Sequence, residues 1–209
     1  QIDYLVITHP HDDHMSNAIE IIEDYDVKNI LMPKISADNQ VDSPNYSILI
    51  NTIAKYDVNP LSVTSGDNFQ LGNAIVQVVA PIKQNKNLNN MSLVLKISYG
   101  ETAFLFQGDV EKTAENEVLS NDIDISADVI KIGHHGSNTS TGEKYLENVG
   151  PDYAVVSCGP DNNFKHPNKQ TIDTLDSKNI KTFITAYHGN IIMTSDGKNI
   201  DVFYENKNV

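Results

Sequence analysis

The spacing of hydrophobic and polar positions predicts strands alternating with helices in the first part of the chain. Residues 2–8 form a short apolar run that is typical of a buried strand. A helix with Ser16 as its predicted N-cap follows, and Lys28–Met32 is predicted as the next strand. A second helix is predicted after Ser43-Pro44, where serine caps the helix and proline occupies its first position.

From residue 61 onward the pattern changes to a period of two, which predicts antiparallel strands. The predicted strands are Leu61–Thr64, Phe69–Leu71, Ala74–Ala80, Ser92–Tyr99 and Thr102–Gln107. The polar, asparagine-rich stretch Lys83–Asn90 is predicted to be a loop.

The last third of the chain again alternates between helical and strand patterns. Its predicted helices and strands are Val110–Leu119, Asp128–Ile132, Gly142–Val149, Tyr153–Cys158, Asn168–Ser177 and Lys181–Thr185. A hairpin of Asn190–Thr194 and Asn199–Tyr204 follows. Together these patterns predict an α/β sandwich with a mixed sheet. With 209 residues and 39% hydrophobic content, we expect one domain over residues 1–209.

The most unusual polar stretch comes directly after the first predicted strand. His9-Pro10-His11-Asp12-Asp13-His14 contains three of the seven histidines of the chain. Imidazole and carboxylate are ligands that suit a divalent ion such as zinc. His9 and His11 are spaced to hold one ion, and Asp13 and His14 follow closely enough to reach a second. The stretch therefore predicts a metal site on a loop.

Further polar residues follow later strands, where α/β enzymes usually bind their ligands. Adjacent histidines at the end of an apolar strand, His134-His135, favour a functional role. Asp109 is predicted either as a ligand or as the cap of the helix beginning at Val110. His166 fits a site residue and an ordinary loop residue equally well. His188 is expected in a turn, and Cys158 as a small core residue.

Charge and cysteine content exclude several classes of function. The formal net charge is −13 and the pI about 4.7, so the surface does not by itself attract nucleic acid. The single cysteine excludes an internal disulfide and a metal site built from cysteines.

No apolar run is long enough to predict a membrane segment. A cytoplasmic and an extracytoplasmic location fit equally well.

Several motifs carry a resemblance to a known family. Thr8–His14 resembles the HxHxDH motif of the metallo-β-lactamase superfamily. Asn89–Leu95, Phe104–Asp109, Lys131–Ser137 and Lys165–Pro167 resemble the hydrolase domain of ComEC-type competence proteins and their stand-alone relatives. The resemblance implies a metallo-β-lactamase-like αββα sandwich with a metal pair between its two sheets.

The resemblance also implies roles for individual residues. His9 and His11 correspond to ligands of the first ion, and Asp13 and His14 to ligands of the second. Asp109 corresponds to a bridging carboxylate and His135 to the final ligand. The implied catalytic residues are Asp13, which orients water, and His134 and His166, which contact the substrate or leaving group.

The sequence departs from the family pattern in two places. The usual third histidine of the first ion has no counterpart, and Asn89 and Asn90 occupy that region. One or two ions are therefore expected, zinc first and manganese as an alternative. Relatives begin with further strands upstream, so the domain is expected to be truncated at its N-terminus.

The resemblance implies a metal-dependent hydrolase, most readily a phosphodiesterase or nuclease-like enzyme that uses a metal-activated water. Single-stranded DNA is one candidate substrate, and Ser137, Thr139 and Ser140 are candidate phosphate contacts. One alternative is an esterase acting on a small or cell-wall phosphoryl ester. Another is a non-catalytic metal-binding module. The sequence predicts no oligomeric state.

Overall fold

The N-terminal part of the protein is a parallel sheet covered by two helices. The computed structural model describes residues 1–36, 38–39 and 41–206. The elements of this part are β1 (Ile2–Val6), α1 (Asp12–Asp24), β2 (Val27–Pro33), α2 (Pro44–Lys55) and β3 (Asn59–Val63). The strands pair in the order β1-β2-β3, all parallel. Ser43 caps α2 by accepting a hydrogen bond from the Asn45 amide, as predicted.

The rest of the chain builds a larger mixed sheet of seven strands. These are β4 (Asn68–Leu71), β5 (Ala74–Ala80), β6 (Val94–Tyr99), β7 (Thr102–Phe106), β8 (Val129–Lys131), β9 (Tyr153–Val156) and β10 (Lys181–Ile184). Strands β4 to β7 pair antiparallel, and β7 to β10 pair parallel. The helices of this part are α3 (Lys112–Ser120), α4 (Glu143–Val149), α5 (Lys169–Ser177) and α6 (Thr185–His188). A hairpin of β11 (Ile191–Ser195) and β12 (Ile200–Tyr204) follows α6.

Three hydrophobic layers hold these elements together. Between α1, α2 and the small sheet lie buried side chains such as Met15, Ile22, Ile30 and Leu49. Between the two sheets lie Leu31, Val76, Val78, Leu93 and Leu95. Between the large sheet and α3 to α5 lie Leu105, Ile130, Tyr145, Leu146 and Leu175, among others. The order helix–sheet–sheet–helix confirms the predicted αββα sandwich.

The carboxyl ends of the strands that carry the candidate site residues meet at one edge of the sandwich. Phe106 of β7 lies beside Lys131 of β8, which lies beside Val155 of β9. The loop after β1 joins this edge because the Leu93 amide donates to the Thr8 carbonyl oxygen over 2.8 Å. The loops after β1, β7 and β8 are thereby brought together.

The start of α1 differs from its prediction. The helix begins at Asp12, and His11 occupies the N-cap position without a side-chain cap. Two carboxylates in the first turn, Asp12 and Asp13, interact favourably with the helix dipole and allow this early start. The expected Ser16 cap is therefore wrong, and Ser16 instead accepts a hydrogen bond from Asn45. No helix in the described part of the chain is long and apolar enough to cross a bilayer.

Candidate metal centre

Four predicted ligands, Asp13, His14, Asp109 and His135, converge into what we name the four-ligand cluster. One ligand atom from each residue lies within 4.8 Å of all the others. Asp109 Oδ2 is 3.2 Å from His14 Nε2 and 3.4 Å from His135 Nε2. Asp13 Oδ2 is 3.3 Å from His135 Nε2. Two imidazoles and two carboxylates at these distances can surround a single divalent ion.

His9 and His11, which we name the histidine pair, lie beside this cluster. His9 Nε2 is 2.9 Å from His11 Nδ1, so both nitrogens can approach the same ion. The other ring nitrogen of the buried His9 lies 3.1 Å from Thr8 Oγ1 and 3.2 Å from Ser92 Oγ. Such hydroxyl contacts fix the orientation of a ligating histidine and leave its second nitrogen available.

Asp109 is positioned by a tight turn at the end of β7. Gly108 has φ +56°, and a Cβ there would lie 2.7 Å from the Cβ of Ser92. The Asp109 amide donates to Ser92 Oγ, while its buried Oδ1 has no hydrogen-bond partner. The alternative role as a helix cap is wrong, because α3 begins at Lys112 with Glu111 in the N-cap position.

His134 and His135 occupy a short turn, Gly133–Gly136, in left-handed backbone conformations. Their φ angles are 47° and 54°, which non-glycine residues rarely adopt. The His134 amide donates to the Gly108 carbonyl oxygen over 3.1 Å, and His135 Nδ1 donates to that of Ser157 over 2.8 Å. These contacts direct His135 Nε2 into the four-ligand cluster.

A buried polar network supports this turn, and the sequence reasoning missed it. The Gly133 amide donates to Gln107 Oε1, and Gln107 Nε2 donates to Glu115 over 2.6 Å. The backbone amides of Thr141 and Gly142 donate to the same carboxylate. Burial raises the pKa of Glu115 to about 7, although these three donors lower it. The available sequence indication was a polar Gln107 following the apolar residues of β7.

The pKa values of the site residues are shifted in different directions by their neighbours and by burial. Hydrogen bonds to Asp109 and Asp13 raise the pKa of His135 to about 10. The hydrogen bond from His135 lowers the pKa of Asp13 to about 2. Burial opposes ionisation of Asp109, but His135 and His14 outweigh it and hold its pKa well below the usual range. Burial, with a contribution from His14, lowers the pKa of His9 to about 3, so this imidazole is neutral at neutral pH.

The remaining predicted site residues line a cavity of about 180 Å³ that opens from the metal centre. Its lining consists of His11, Asp13, Asn89, Asp109, His134, His135, Phe164 and His166. His134 Nε2 is 4.0 Å from Asp109 Oδ2, and the His166 ring lies 5.9 Å from that of His134. Phe164 is 80% exposed and nearly parallel to the His166 ring at 5.8 Å. His134 and His166 are thus close to the cluster without belonging to it.

The three hydroxyl residues predicted as phosphate contacts have different environments. Ser140 is buried and donates to the Val110 carbonyl oxygen over 2.6 Å, so its predicted contact with phosphate is wrong. Ser137 is also buried and lies 3.0 Å from Thr139 Oγ1. Thr139 alone is exposed, 3.3 Å from His134 Nδ1.

The donor set fits a divalent metal. Asp109 Oδ1 is a buried acceptor without a partner, which a metal ion at the cluster would satisfy. Imidazole and carboxylate together suit zinc, iron and manganese.

Comparison with known proteins agrees with this geometry. Residues 1–159 match the sequence profile of the Metallo-beta-lactamase superfamily. The chain belongs to the metallo-β-lactamase superfamily. It is 32% identical over 192 residues to "ComE operon protein 3" of Bacillus subtilis and 27% identical over 192 residues to "Recombination protein 2" of Haemophilus influenzae. These matches cover 91% of this chain but only 24% and 22% of the relatives.

Other similarities support the same assignment. "Competence protein ComA" of Neisseria gonorrhoeae is 33% identical over 108 residues, which are 51% of this chain and 16% of that protein. The resemblance to competence proteins of this superfamily is thereby confirmed. CmlA, a diiron β-hydroxylase from Streptomyces venezuelae, shares the fold with a TM-score of 0.60 at 19% identity, over 87% of this chain and 43% of its own. Igni18, a metallo hydrolase from Ignicoccus hospitalis, gives a TM-score of 0.53 at 13% identity, over 96% and 79%.

Proposed function

We propose that this superfamily member is a metal-dependent hydrolase that cleaves phosphodiesters, with nuclease-like activity. The observation that carries the proposal is the convergence of the four-ligand cluster and the histidine pair at the base of an open cavity. A closed structural site would leave no room for substrate, and structural zinc sites are commonly built from cysteines. The open cavity therefore supports catalysis over the alternative of a non-catalytic module.

The roles of the surrounding residues follow from their positions. Bound ions would supply Lewis acidity and lower the pKa of a water molecule for attack on phosphorus. Asp13, with 64% of its side chain exposed, would orient that water. His134 would stabilise developing charge on the substrate or donate a proton to the leaving oxygen. His166, at the cavity wall, would act on the leaving group.

The cavity and its mouth indicate what kind of phosphodiester fits. About 180 Å³ accommodates a phosphoryl group, so most of a larger substrate would lie outside. At the mouth, the exposed Phe164 offers a face on which a nucleobase can stack. Divalent ions would locally offset the acidic surface. These features support a single-stranded nucleic acid, such as DNA, as substrate.

The small cavity also suits the second candidate, an esterase acting on a small or cell-wall phosphoryl ester. Cleavage of a single-stranded oligonucleotide with added Zn²⁺ or Mn²⁺ supports the first candidate. Activity confined to small esters supports the second.

The proposal is tested by Asp109→Asn, which keeps the side-chain shape but removes the charge between His14 and His135. Metal content and turnover of a phosphodiester reporter should both fall strongly. Asp173→Asn is the matched control, because Asp173 lies on α5 and pairs only with Lys169 among the described ion pairs. Unchanged metal content and full activity in Asp109→Asn would contradict the proposal.

A further inference from the structure

Asn89 has an unusual environment in the cavity of the metal centre. It lies in a short 3₁₀ turn, Leu88–Met91, and lines the cavity together with His11 and Asp109. Its side-chain Oδ1 is buried and has no hydrogen-bond partner. A buried amide oxygen without a partner costs free energy, so such an atom calls for a partner that protein side chains do not supply.

The orientation of the Asn89 amide follows from its neighbour. Asn89 Nδ2 donates to Glu111 Oε1 over 3.3 Å. Because a carboxylate only accepts hydrogen bonds, the nitrogen must face Glu111 and the oxygen must face away from it. Glu111 is itself held by Asn87 Nδ2, which donates to Oε2 over 2.9 Å. These contacts therefore fix the orientation of the Asn89 amide, with its oxygen turned away from Glu111.

The adjacent asparagine has a different role. Asn90 Oδ1 accepts a hydrogen bond from the Glu111 amide over 2.9 Å, so its oxygen is already satisfied. Of the two asparagines that stand where the superfamily usually has a histidine ligand, only Asn89 has a buried side-chain oxygen without a partner, and this residue lines the cavity.

We propose that Asn89 Oδ1 is a further protein ligand of the ion bound by His9 and His11, in place of the usual histidine. The inference rests on the proposed metal-dependent function. It assigns a further ligand to the ion of the histidine pair. An amide oxygen is a harder ligand than an imidazole, so it shifts this ion away from zinc and towards manganese. The absent histidine is thus replaced by a ligand with a different metal preference.

The test is a Mn²⁺ titration of the metal-free full chain, with free Mn²⁺ followed by electron paramagnetic resonance. Wild type should bind two ions, and Asn89→Leu should bind one. Asn89→His should raise the preference for Zn²⁺ over Mn²⁺ at this ion by about tenfold or more.

The matched control is Asn90→Ala, which removes the neighbouring amide and should retain both ions. Thermal unfolding of each metal-free variant reports whether the fold is intact. Two Mn²⁺ ions bound with unchanged affinity in Asn89→Leu would overturn the inference. A wild-type protein that binds one ion would also overturn it, whereas phosphodiester cleavage by that singly loaded protein would leave the proposed function standing.

Discussion

The two halves of the candidate metal centre are built differently. The four-ligand cluster draws residues from the first turn of α1, the loop after β7 and the turn after β8, and two of its members are carboxylates. The histidine pair comes from one short loop and consists of imidazoles alone. Carboxylates offset the charge of a divalent ion, and neutral imidazoles do not. We therefore expect the cluster to bind its ion more tightly than the pair.

The largest loss of turnover is expected when the four-ligand cluster loses a ligand. His135→Ala removes a ligand from the four-ligand cluster and leaves His14 as the remaining histidine of that cluster beside Asp109 and Asp13. Turnover should fall about a thousandfold or more, because losing an ion removes several kcal/mol of transition-state stabilisation. Phosphodiester kinetics combined with metal analysis checks this. His188→Ala, which alters a histidine at the end of α6, is the control.

A smaller loss of turnover is expected when the histidine pair loses a ligand. His11→Ala should remove the ion of the histidine pair but leave the ion of the cluster, so that one metal per chain remains. Turnover should fall less than in His135→Ala, by roughly a hundredfold. Equal loss of both ions in His11→Ala would show that the two halves bind metal as one unit.

The Glu115 network supports the turn that carries His135, and it predicts that the stability of the fold depends on pH. Burial raises the pKa of Glu115 from 4.5 to about 7, so the folded state favours the protonated form. Relative to Glu115→Gln, the free energy of unfolding of metal-free wild type should fall by about 3 kcal/mol as pH rises from 4.5 through 7. Urea denaturation across this range measures it. Glu117→Gln, at a surface ion pair with Lys83, should show no such change.

The smallest effect is expected on oligonucleotide binding at the cavity mouth, outside both halves of the candidate metal centre. Phe164→Ala should weaken binding of a single-stranded oligonucleotide about tenfold, because a stacked base loses its aromatic partner. Phe203→Ala removes an aromatic side chain of β12 that is 59% exposed, and it is the control. Equal oligonucleotide affinity in wild type and Phe164→Ala, measured by fluorescence anisotropy, would remove the support for a nucleic-acid substrate.

The sequence predicted those parts of the site that depend on local pattern. The HxHxDH stretch, Asp109 and His135 each follow an apolar run, and strand ends meet at one sheet edge in this class of fold. The start of α1 was missed because acidic residues in the first turn stabilise a helix without a side-chain cap. In particular, the assignment of Asp13 and His14 to a loop was wrong.

Features that depend on long-range contacts could not be predicted from the sequence. Nothing in the local pattern shows that Glu115 turns inward from α3 to accept from Gly142, 27 residues later. Likewise, Asn89 and Asn90 are adjacent and identical in type. Only their different partners around Glu111 distinguish a satisfied oxygen from a free one.

The most direct test of a two-part metal centre is anomalous X-ray diffraction from crystals soaked in Mn²⁺. The structure predicts one strong peak among Asp13, His14, Asp109 and His135. A second, weaker peak should lie beside His9, His11 and Asn89. Absence of any peak at the four-ligand cluster, with manganese only on surface carboxylates, would contradict the account.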